Sequence, residues 1–305
     1  MEFKVSVIIP LFNCESFIEK SVKSAISCLE VGEVIIIDDG STDSSFSICK
    51  KLQKESEKIS LYTHPGRCNK GPSASRNLGI LNARHPFVAF LDADDWYLEL
   101  RFKNDKELFE SNRSIDAAYS CTILEENLGK NEKRYGVQSN PSNLWGSDLS
   151  PIEFYKSVLE NRIVLFDTNG ITIRKDFLLK NKLFDERLFL HQDTELWNRL
   201  MRSGIFVASQ WENPVAIIRK HGNNRISNRS ADTHLKMLAV QIDNIGISKL
   251  YNFEINILYL RILRERSKII KSHWRRRIYF YIQYLINQLN KKKILEDIRR
   301  TYAFV

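Results

Sequence analysis

The chain has 305 residues, a formal net charge of +9 and 43% hydrophobic residues, which is enough apolar content for a large globular domain with an appended region. It has no apolar run of about 18 residues or more and no signal-peptide pattern at its start, which argues against a membrane-spanning helix and against secretion. The five widely spaced cysteines form no CxxC pair, so neither a disulfide framework nor a zinc finger is expected. We therefore expect a cytoplasmic protein.

The first 125 residues predict alternating strands and helices. Strand-like apolar runs occupy residues 5–10, 33–37, 59–62 and 87–91. Residues 15–29 and 74–83 lie between these runs and carry apolar side chains at helical spacing. Apolar runs with little alternation are typical of strands buried on both faces of a parallel sheet. The sequence therefore predicts a Rossmann-like α/β fold with a mostly parallel sheet flanked by helices.

The rest of the chain divides into three predicted parts. Residues 127–150 are polar and predict a long loop over the site. Residues 162–173 and 215–219 predict strands on either side of a helix over 193–203, and the pattern from residue 231 onward is helical. We predict one domain over 1–230, with a first half over 1–125 and a second half over 150–230, and a basic helical region over 231–305.

The positive charge is concentrated near the end of the chain. Residues 261–305 contain 13 Lys and Arg against three acids, a local charge of +10, which leaves about −1 for the rest. Apolar residues recur there at helical spacing: Ile278, Tyr281, Ile282, Leu285, Ile286 and Leu289. This pattern fits a helix on an anionic membrane surface, and equally a helix packed on the protein's own body or on another subunit. Nucleic acid is not expected, because no nucleic-acid-binding fold accompanies the charge.

Acidic residues follow two of the predicted strands and open one predicted helix. They are Asp38 and Asp39, then Asp92, Asp94 and Asp95, and finally Asp193. Carboxylates at the carboxyl ends of parallel strands project into the crevice where such sheets bind ligands. In a basic chain they indicate a divalent cation and, through it, a phosphate-bearing substrate.

Several motifs in order resemble the family 2 glycosyltransferases, which have the GT-A fold. They occupy residues 5–13, 38–43, 69–77, 90–95, 184–188 and 191–200. The resemblance covers about residues 3–227 and leaves the basic end of the chain outside it. It implies transfer of a sugar, with inversion, from a nucleotide diphosphate donor such as a UDP-sugar to a hydroxyl of a glycan or lipid-linked glycan. It also implies Mn²⁺ or Mg²⁺ as a cofactor.

The resemblance assigns donor-binding roles to residues of the first half. Pro10 and Phe12 would line the base and ribose pocket, and Asp39 would accept a hydrogen bond from the uracil N3–H. Arg76 would pair with the diphosphate, although it could instead form only a structural salt bridge to Asp92 or Asp95.

The Asp92-Ala93-Asp94 motif is the expected metal site, because alternate side chains at a strand end point the same way. By resemblance, Asp94 would bind the metal directly, while Asp92 would contact the ribose or reach the metal through water. Asp95 could cap a helix that begins near Tyr97. His221 could complete the metal shell, although a single His in a Gly-Asn loop could equally be a surface residue.

Asp193 matches the catalytic base of the family, which takes the proton of the acceptor hydroxyl. The same residue could be only the N-cap of the following helix. Gln192 stands where the family usually has Glu, so the acceptor contact expected there is in doubt.

Two other functions compete with glycosyl transfer. A sugar-phosphate nucleotidyltransferase would share the α/β fold and the carboxylate-bound metal, but it would need a Gly-rich basic loop after the first strand. Residues 10–13 (Pro-Leu-Phe-Asn) do not supply one. The other alternative is a catalytically inactive, glycan-binding member of the family, and Gln192 is the feature that favours it.

Overall fold

The computed structural model describes residues 2–125, 149–163, 166–210, 212–219, 229–268, 270–286 and 290–304, together with the backbone of residues 134–135. A seven-stranded sheet forms its centre. The strands are β1 (Val5–Leu11), β2 (Val31–Asp38), β3 (Ile59–Thr63), β4 (Phe87–Phe90), β6 (Ala117–Ser120), β9 (Ile171–Arg174) and β10 (Phe206–Gln210). Four short strands form a second sheet: β5 (Trp96–Tyr97), β7 (Thr122–Leu124), β8 (Arg134–Tyr135) and β11 (Ala216–Ile218).

The strand order of the central sheet is β10-β6-β9-β4-β1-β2-β3. All neighbours are parallel except β9, which runs antiparallel to both β4 and β6. This arrangement confirms the predicted α/β fold with a mostly parallel sheet. The carboxyl ends of β4, β1 and β2 consequently lie side by side, which places the loops after them at one edge of the sheet.

Eleven helices accompany the sheets in the described residues. They are α1 (Ile18–Ile26), α2 (Ser45–Glu55), α3 (Gly71–Asn82), α4 (Lys103–Ser111), α5 (Pro151–Leu159), α6 (Lys175–Lys180), α7 (Gln192–Met201), α8 (Ala231–Ile245), α9 (Asn252–Ser267), α10 (His273–Ile286) and α11 (Lys291–Tyr302). Helices α1, α2 and α4 contribute to the apolar cluster on one face of the sheet, and α3, α5, α6 and α7 contribute to the cluster on the other.

Strand β1 shows why the apolar runs lack alternation. Every residue of the strand is buried. Val7 and Ile9 belong to one cluster and Ile8 belongs to the other, because successive side chains of a strand point to opposite faces. Both faces are covered by helices, so both must be apolar.

One predicted strand is longer than the strand in the structure. Among the described residues of the predicted strand over 162–173, only those from Ile171 onward form a strand, and a 3₁₀ turn at Thr168–Gly170 precedes them. Ile163 and Phe166, which suggested a longer strand, are buried although they lie in loops. Strands β6 (Ala-Ala-Tyr-Ser) and β10 (Phe-Val-Ala-Ser-Gln) were not predicted, because small and polar residues interrupt their apolar pattern. The predicted loop over 127–150 lies largely outside the described residues.

The C-terminal helices have a core of their own. Buried residues of α8, α9 and α11 form a third apolar cluster, which Leu188 joins from the preceding domain. Helix α10 packs on α9 and has no buried residue. In the described part of the chain, no helix has both the length and the apolarity that crossing a membrane requires. The helical character predicted from residue 231 onward is confirmed, and the proposed domain boundaries stay predictions.

Candidate active site

The loops after β1 and β2 are joined by hydrogen bonds. The Asp39 backbone N–H donates to the carbonyl of Leu11 at 2.7 Å, and the Thr42 N–H donates to Asn13 Oδ1 at 2.8 Å. Asn13 takes a left-handed conformation with φ of 50°, which Asn tolerates better than most residues. Phe12, predicted to line the nucleoside pocket, is 45% exposed at this edge, whereas Pro10 is buried within β1.

Asp39 fixes the beginning of α3. It is buried, and its two carboxylate oxygens accept the backbone N–H groups of Lys70 at 2.6 Å and Gly71 at 2.9 Å. His64 Nε2 lies 3.6 Å from Asp39 Oδ1. Gly71 has φ of +86°, and a Cβ there would lie 2.8 Å from a ring carbon of Phe189, so glycine is required at this turn. Asp39 therefore holds together the two loops to which the donor-binding roles were assigned.

Arg76 forms an ion pair with Asp92. The guanidinium is buried, and Nη2 donates to Asp92 Oδ1 at 2.6 Å. Its Nε and Nη1 atoms are buried without a hydrogen-bond partner. The salt bridge that the sequence left as an alternative is thus present, but it uses one of the three guanidinium nitrogens. The other two retain the capacity to donate to a further acceptor.

Asp95 differs from its neighbours Asp92 and Asp94. The Asp92 side chain is 35% exposed and Asp94 is half-buried, whereas Asp95 is buried. Asp95 accepts hydrogen bonds from Asn169 Nδ2 and from the Arg219 backbone N–H, both at 2.7 Å. Burial, together with the nearby charges of Asp92 and Asp94, raises the pKa of Asp95 to about 9.

The prediction that Asp95 caps a helix is wrong. Residues 96 and 97 form strand β5, and the next helix begins at Lys103. Asp95 instead connects the loop after β4 to the residue that follows β11 and to the turn before β9.

Asp193 lies in the first turn of α7. Its Oδ1 accepts the Thr194 N–H at 2.7 Å, and its Oδ2 lies 3.4 Å from Thr168 Oγ1, which can donate to it. The N-cap of α7 is His191, which has a left-handed conformation with φ of 61°. A role for Asp193 as only the N-cap is therefore wrong, and its half-buried carboxylate remains available to a substrate.

The neighbours of Asp193 are engaged elsewhere. Glu195 is fully buried, pairs with Arg199 at 2.6 Å and accepts a hydrogen bond from Asn244. His191 is buried, its Nε2 lies 3.2 Å from Thr233 Oγ1, and its ring lies 4.1 Å from that of His234. Burial and the positive neighbours His234 and Arg229 lower the pKa of His191 to about 4. Gln192 has a buried Oε1 with no hydrogen-bond partner.

A family model described as "Glycosyl transferase family 2" matches residues 6–185, which is more than half of the chain. The chain belongs to glycosyltransferase family 2. The motifs over residues 38–43, 69–77 and 90–95 fall within the matched segment, as does the motif over 5–13 except for its first residue. The resemblance drawn from them is confirmed.

The names of three similar proteins give different functions. A protein of Rickettsia felis named "Uncharacterized glycosyltransferase" is 28% identical over 99% of this chain and 46% of its own length. The "Minor teichoic acid biosynthesis protein GgaA" of Bacillus subtilis is 30% identical over 64% of this chain and 43% of its own. The "GalNAc(5)-diNAcBac-PP-undecaprenol beta-1,3-glucosyltransferase" of Campylobacter jejuni is 28% identical over 67% and 61%. The chain spans about half the length of the curated relatives it matches.

Solved structures of S. aureus TarS have the same fold. TarS 1-349 in complex with UDP-GlcNAc aligns with a TM-score of 0.61 and 16% identity over 97% of this chain and 91% of that one. TarS 1-349 in complex with UDP aligns with a TM-score of 0.60. At this identity the comparison shows the fold alone.

The family 2 site fits a divalent cation that is shared with a substrate. Among the described residues, no three His, Cys, Asp or Glu side chains are close enough together to hold a metal ion. Asp92 and Asp94 nevertheless present hard oxygen donors at the end of β4, and Mg²⁺ is commonly held by one or two carboxylates plus substrate phosphates. These two residues would hold the ion. His221, the third predicted ligand, lies outside the described residues.

Two residues of the site were missed by the sequence analysis. Asn169 donates to Asp95, accepts the Asp92 N–H with Oδ1 at 2.9 Å, and accepts Arg101 Nε with its carbonyl. Asp167 accepts the Asn169 N–H at 2.9 Å. Burial raises the pKa of Asp167 to about 7, with the charges of Asp92 and Asp193 adding to the effect and Arg76 opposing it.

No local motif identifies this segment. Asp-Thr-Asn-Gly at residues 167–170 resembles any polar turn. The one available signal is that it directly precedes a strand.

Proposed function

We propose that this chain is an inverting glycosyltransferase that moves a sugar from a UDP-sugar to a hydroxyl of a glycan or lipid-linked glycan. One observation carries the proposal: the turn over 167–170 links the predicted donor and acceptor residues. Asn169 binds the loop that carries Asp92 and Asp95, and Thr168 lies within hydrogen-bond distance of Asp193. The predicted base and the predicted metal-binding loop thereby contact two consecutive residues, Thr168 and Asn169.

The donor would bind across the ends of β1, β2 and β4. The exposed ring of Phe12 offers a surface for the base, and Asp39 retains lone pairs beyond the two that the backbone N–H groups use. Arg76 supports a diphosphate contact through its two unpartnered buried nitrogens. Solved structures of the same fold that hold UDP or UDP-GlcNAc support a nucleotide-sugar donor.

Mn²⁺ or Mg²⁺ held by Asp94 and Asp92 would neutralise the charge that develops on the leaving diphosphate. Arg76 would hold Asp92 in place through the ion pair, so the same guanidinium positions a metal ligand and contacts the donor. Asp92 and Arg76 therefore act as one unit in this proposal.

Asp193 would accept the proton of the acceptor hydroxyl. Its carboxylate is oriented by Thr194 and Thr168, which leaves part of each oxygen free for a further hydrogen bond. With one base on the side of the anomeric carbon opposite the leaving diphosphate, the sugar would be transferred in a single displacement. The product from an α-linked donor would then be β-linked.

The acceptor class is inferred from the names of relatives, which include teichoic acid biosynthesis and an undecaprenol-linked glycan. The second name contains a polyprenol, which is a lipid. We propose that this chain acts on such an acceptor at the inner face of the cell membrane, as a peripheral protein.

A donor screen tests the proposal. UDP-, GDP- and dTDP-sugars are incubated with a lipid-linked glycan acceptor, with Mn²⁺, with Mg²⁺ or with EDTA, and release of the nucleoside diphosphate is measured. We expect release that needs a UDP-sugar, an acceptor and a divalent ion. Release of pyrophosphate would instead indicate a nucleotidyltransferase, and donor binding without turnover would indicate an inactive, glycan-binding member.

A further inference from the structure

Helix α10 carries a concentrated set of exposed apolar side chains. Of the 15 large hydrophobic residues that are exposed among the described residues, six lie on this 14-residue helix. They are Trp274, Ile278, Tyr281, Ile282, Leu285 and Ile286. The spacing of the first five places them on one face, which we call the α10 stripe. Exposed hydrophobic residues that occur singly need no explanation, but a contiguous set of this kind marks an interaction surface.

The α10 stripe is exposed although the helix itself is packed. Phe280 and Tyr284, on the other face, pack against the C-terminal apolar cluster. Tyr259 Oη donates to the carbonyl of Gln283 at 2.9 Å, which fixes α10 on α9. The helix therefore packs on the protein's own body, as one of the interpretations of the sequence predicted, while the described residues leave the α10 stripe exposed. Leu289, the sixth residue of the predicted pattern, lies outside them.

The charge around the stripe has one sign. Residues 266–295 contain nine Lys and Arg and no Asp or Glu. The guanidinium of Arg275 lies 5.3 Å from the Trp274 ring, and both Arg275 and Arg277 are exposed. Because long basic side chains can lie along an apolar surface and present their charge at its edge, this helix has an apolar face with a basic border.

A cavity of about 640 Å³ opens beside the stripe, between α9 and α10. Its wall includes three arginines and a histidine, namely Arg264, Arg276, Arg277 and His273, and its apolar part is formed by residues of α10. Arg276 is held in place because its Nε and Nη2 donate to the carbonyl of Ile270. Guanidinium groups beside an apolar surface suit a phosphate that is attached to a hydrocarbon chain.

We propose that the α10 stripe and this cavity form a docking surface for a bilayer that contains anionic phospholipid. The stripe would enter the interfacial region, where Trp and Tyr are favoured, and the arginines would bind lipid phosphates. A second copy of the chain fits less well, because a two-fold contact through α10 would bring two acid-free basic segments together. The inference goes beyond the proposed reaction, since it concerns where the chain binds and not what it transfers.

Vesicle sedimentation with the full chain tests the docking surface. Vesicles of pure phosphatidylcholine are compared with vesicles that also contain phosphatidylglycerol, at low and high salt. Three double variants accompany the wild type: Arg275→Glu/Arg277→Glu, Ile278→Ser/Ile282→Ser, and the control Lys103→Glu/Lys106→Glu. The control residues are exposed on α4 and undergo the same change in charge as the arginines. Circular dichroism confirms that each variant is folded.

We expect the wild type to bind the anionic vesicles only, and to bind them less at high salt because surface charges are screened. Both α10 variants should lose roughly tenfold or more in binding, while the lysine control keeps most of it. Turnover on a water-soluble acceptor should be unchanged in all variants, so a failure of docking is distinguished from a failure of the proposed reaction.

Several results would overturn the proposal. Equal binding to neutral vesicles, no binding at all, or an equal loss in the lysine control would each exclude a specific anionic docking surface. A wild-type dimer in sedimentation velocity that becomes monomeric in both α10 variants would assign the stripe to a second copy of the chain.

Discussion

Asn169 is the residue on which the geometry of the site depends most. Its side chain donates to Asp95 and accepts from the Asp92 backbone, and its own N–H is held by Asp167. The Arg219 backbone N–H donates a second hydrogen bond to Asp95. Asn169 donates the one that comes from a side chain. A buried amide that satisfies two polar groups cannot be removed without leaving both of them unpaired.

We predict that Asn169→Ala lowers the free energy of unfolding by roughly 1–3 kcal/mol, because it leaves one buried oxygen of Asp95 and the Asp92 backbone N–H without partners. The same change should reduce turnover more than stability alone explains, since the loop that carries Asp92 and Asp94 loses two hydrogen bonds. Urea unfolding and steady-state kinetics measure the two effects. Asn104→Ala removes a half-buried amide that donates to the Ser209 carbonyl, and it serves as the control.

Asp94 belongs to the same loop but has a different role. We predict that Asp94→Ala weakens Mn²⁺-dependent UDP binding by roughly 10- to 100-fold or more and leaves the melting temperature nearly unchanged, because a half-buried strand-end carboxylate contributes little to the core. Isothermal titration calorimetry with and without Mn²⁺ measures the loss. Asp232→Ala, at an exposed position in α8, should bind as the wild type does. Tight metal-dependent binding by the Asp94 variant would remove this residue from the metal site.

At the level of elements, the approach of α3 to β1 sets the position of Arg76. Gly79 faces β1, and a Cβ there would lie 2.4 Å from Ile8 Cγ2. Because α3 carries Arg76 one turn before Gly79, any outward shift of the helix would move the guanidinium away from Asp92. Close packing of α3 on β1 therefore requires a small residue at position 79. The same packing positions Arg76 for its contact with Asp92.

We predict that Gly79→Ala destabilises the fold by roughly 1–3 kcal/mol through overpacking, although alanine is the better helix former. The double variant Gly79→Ala/Ile8→Ala removes the clashing methyl group. It should therefore be more stable than the sum of the two single changes predicts. Thermal or urea unfolding of the four proteins gives the coupling free energy. If the effects of the two single changes on the free energy of unfolding were strictly additive, the position of α3 would not depend on this contact.

The elements that the sequence predicted well are those with long apolar patterns. Strands β1, β2 and β4 were located because both their faces are buried, and their parallel order placed Asp39, Asp92 and Asp94 at one edge. Strands β6 and β10 contain alanine, serine and glutamine in place of a continuous run of large apolar side chains, so they give no clear pattern. The roles of Asn169 and Asp167 could not be predicted, because their partners are up to 77 residues away and the antiparallel insertion of β9 brings them together.

Across the whole molecule, a partly buried ion-pair network ties the C-terminal helices to the segment that precedes α7. Arg187 pairs with Asp185 at 2.7 Å and with Asp243 of α8 at 2.8 Å, and Arg299 of α11 also pairs with Asp243. Burial alone would raise the pKa of Asp185. Hydrogen bonds from Arg187 and Asn244 outweigh that effect and lower its pKa to about 2. The charged form of Asp185 therefore stabilises the folded state.

We predict that Asp185→Asn lowers the free energy of unfolding by about 2 kcal/mol at pH 6. The folded-state pKa lies below the unfolded value, so the contribution is present above about pH 4 and is lost as the pH falls toward about 2. The difference between wild type and variant should therefore shrink when unfolding is measured at about pH 3 instead of pH 6. Asp176→Asn, in an exposed pair with Lys180, should show no such trend. A difference that is independent of pH would contradict the assigned role of the charge.

The central claim is that one chain joins a donor site at the ends of β1, β2 and β4 to a base at the start of α7. Sugar transfer by Asp193→Asn tests this claim most directly, measured as UDP released with the acceptor present. Asparagine keeps the size, its Oδ1 can still accept the Thr194 N–H, and its Nδ2 can donate to Thr168 Oγ1, but it cannot take up a proton at neutral pH. We predict unchanged stability and donor affinity with turnover reduced by roughly 10²–10⁴-fold. Turnover equal to that of the wild type would contradict the account.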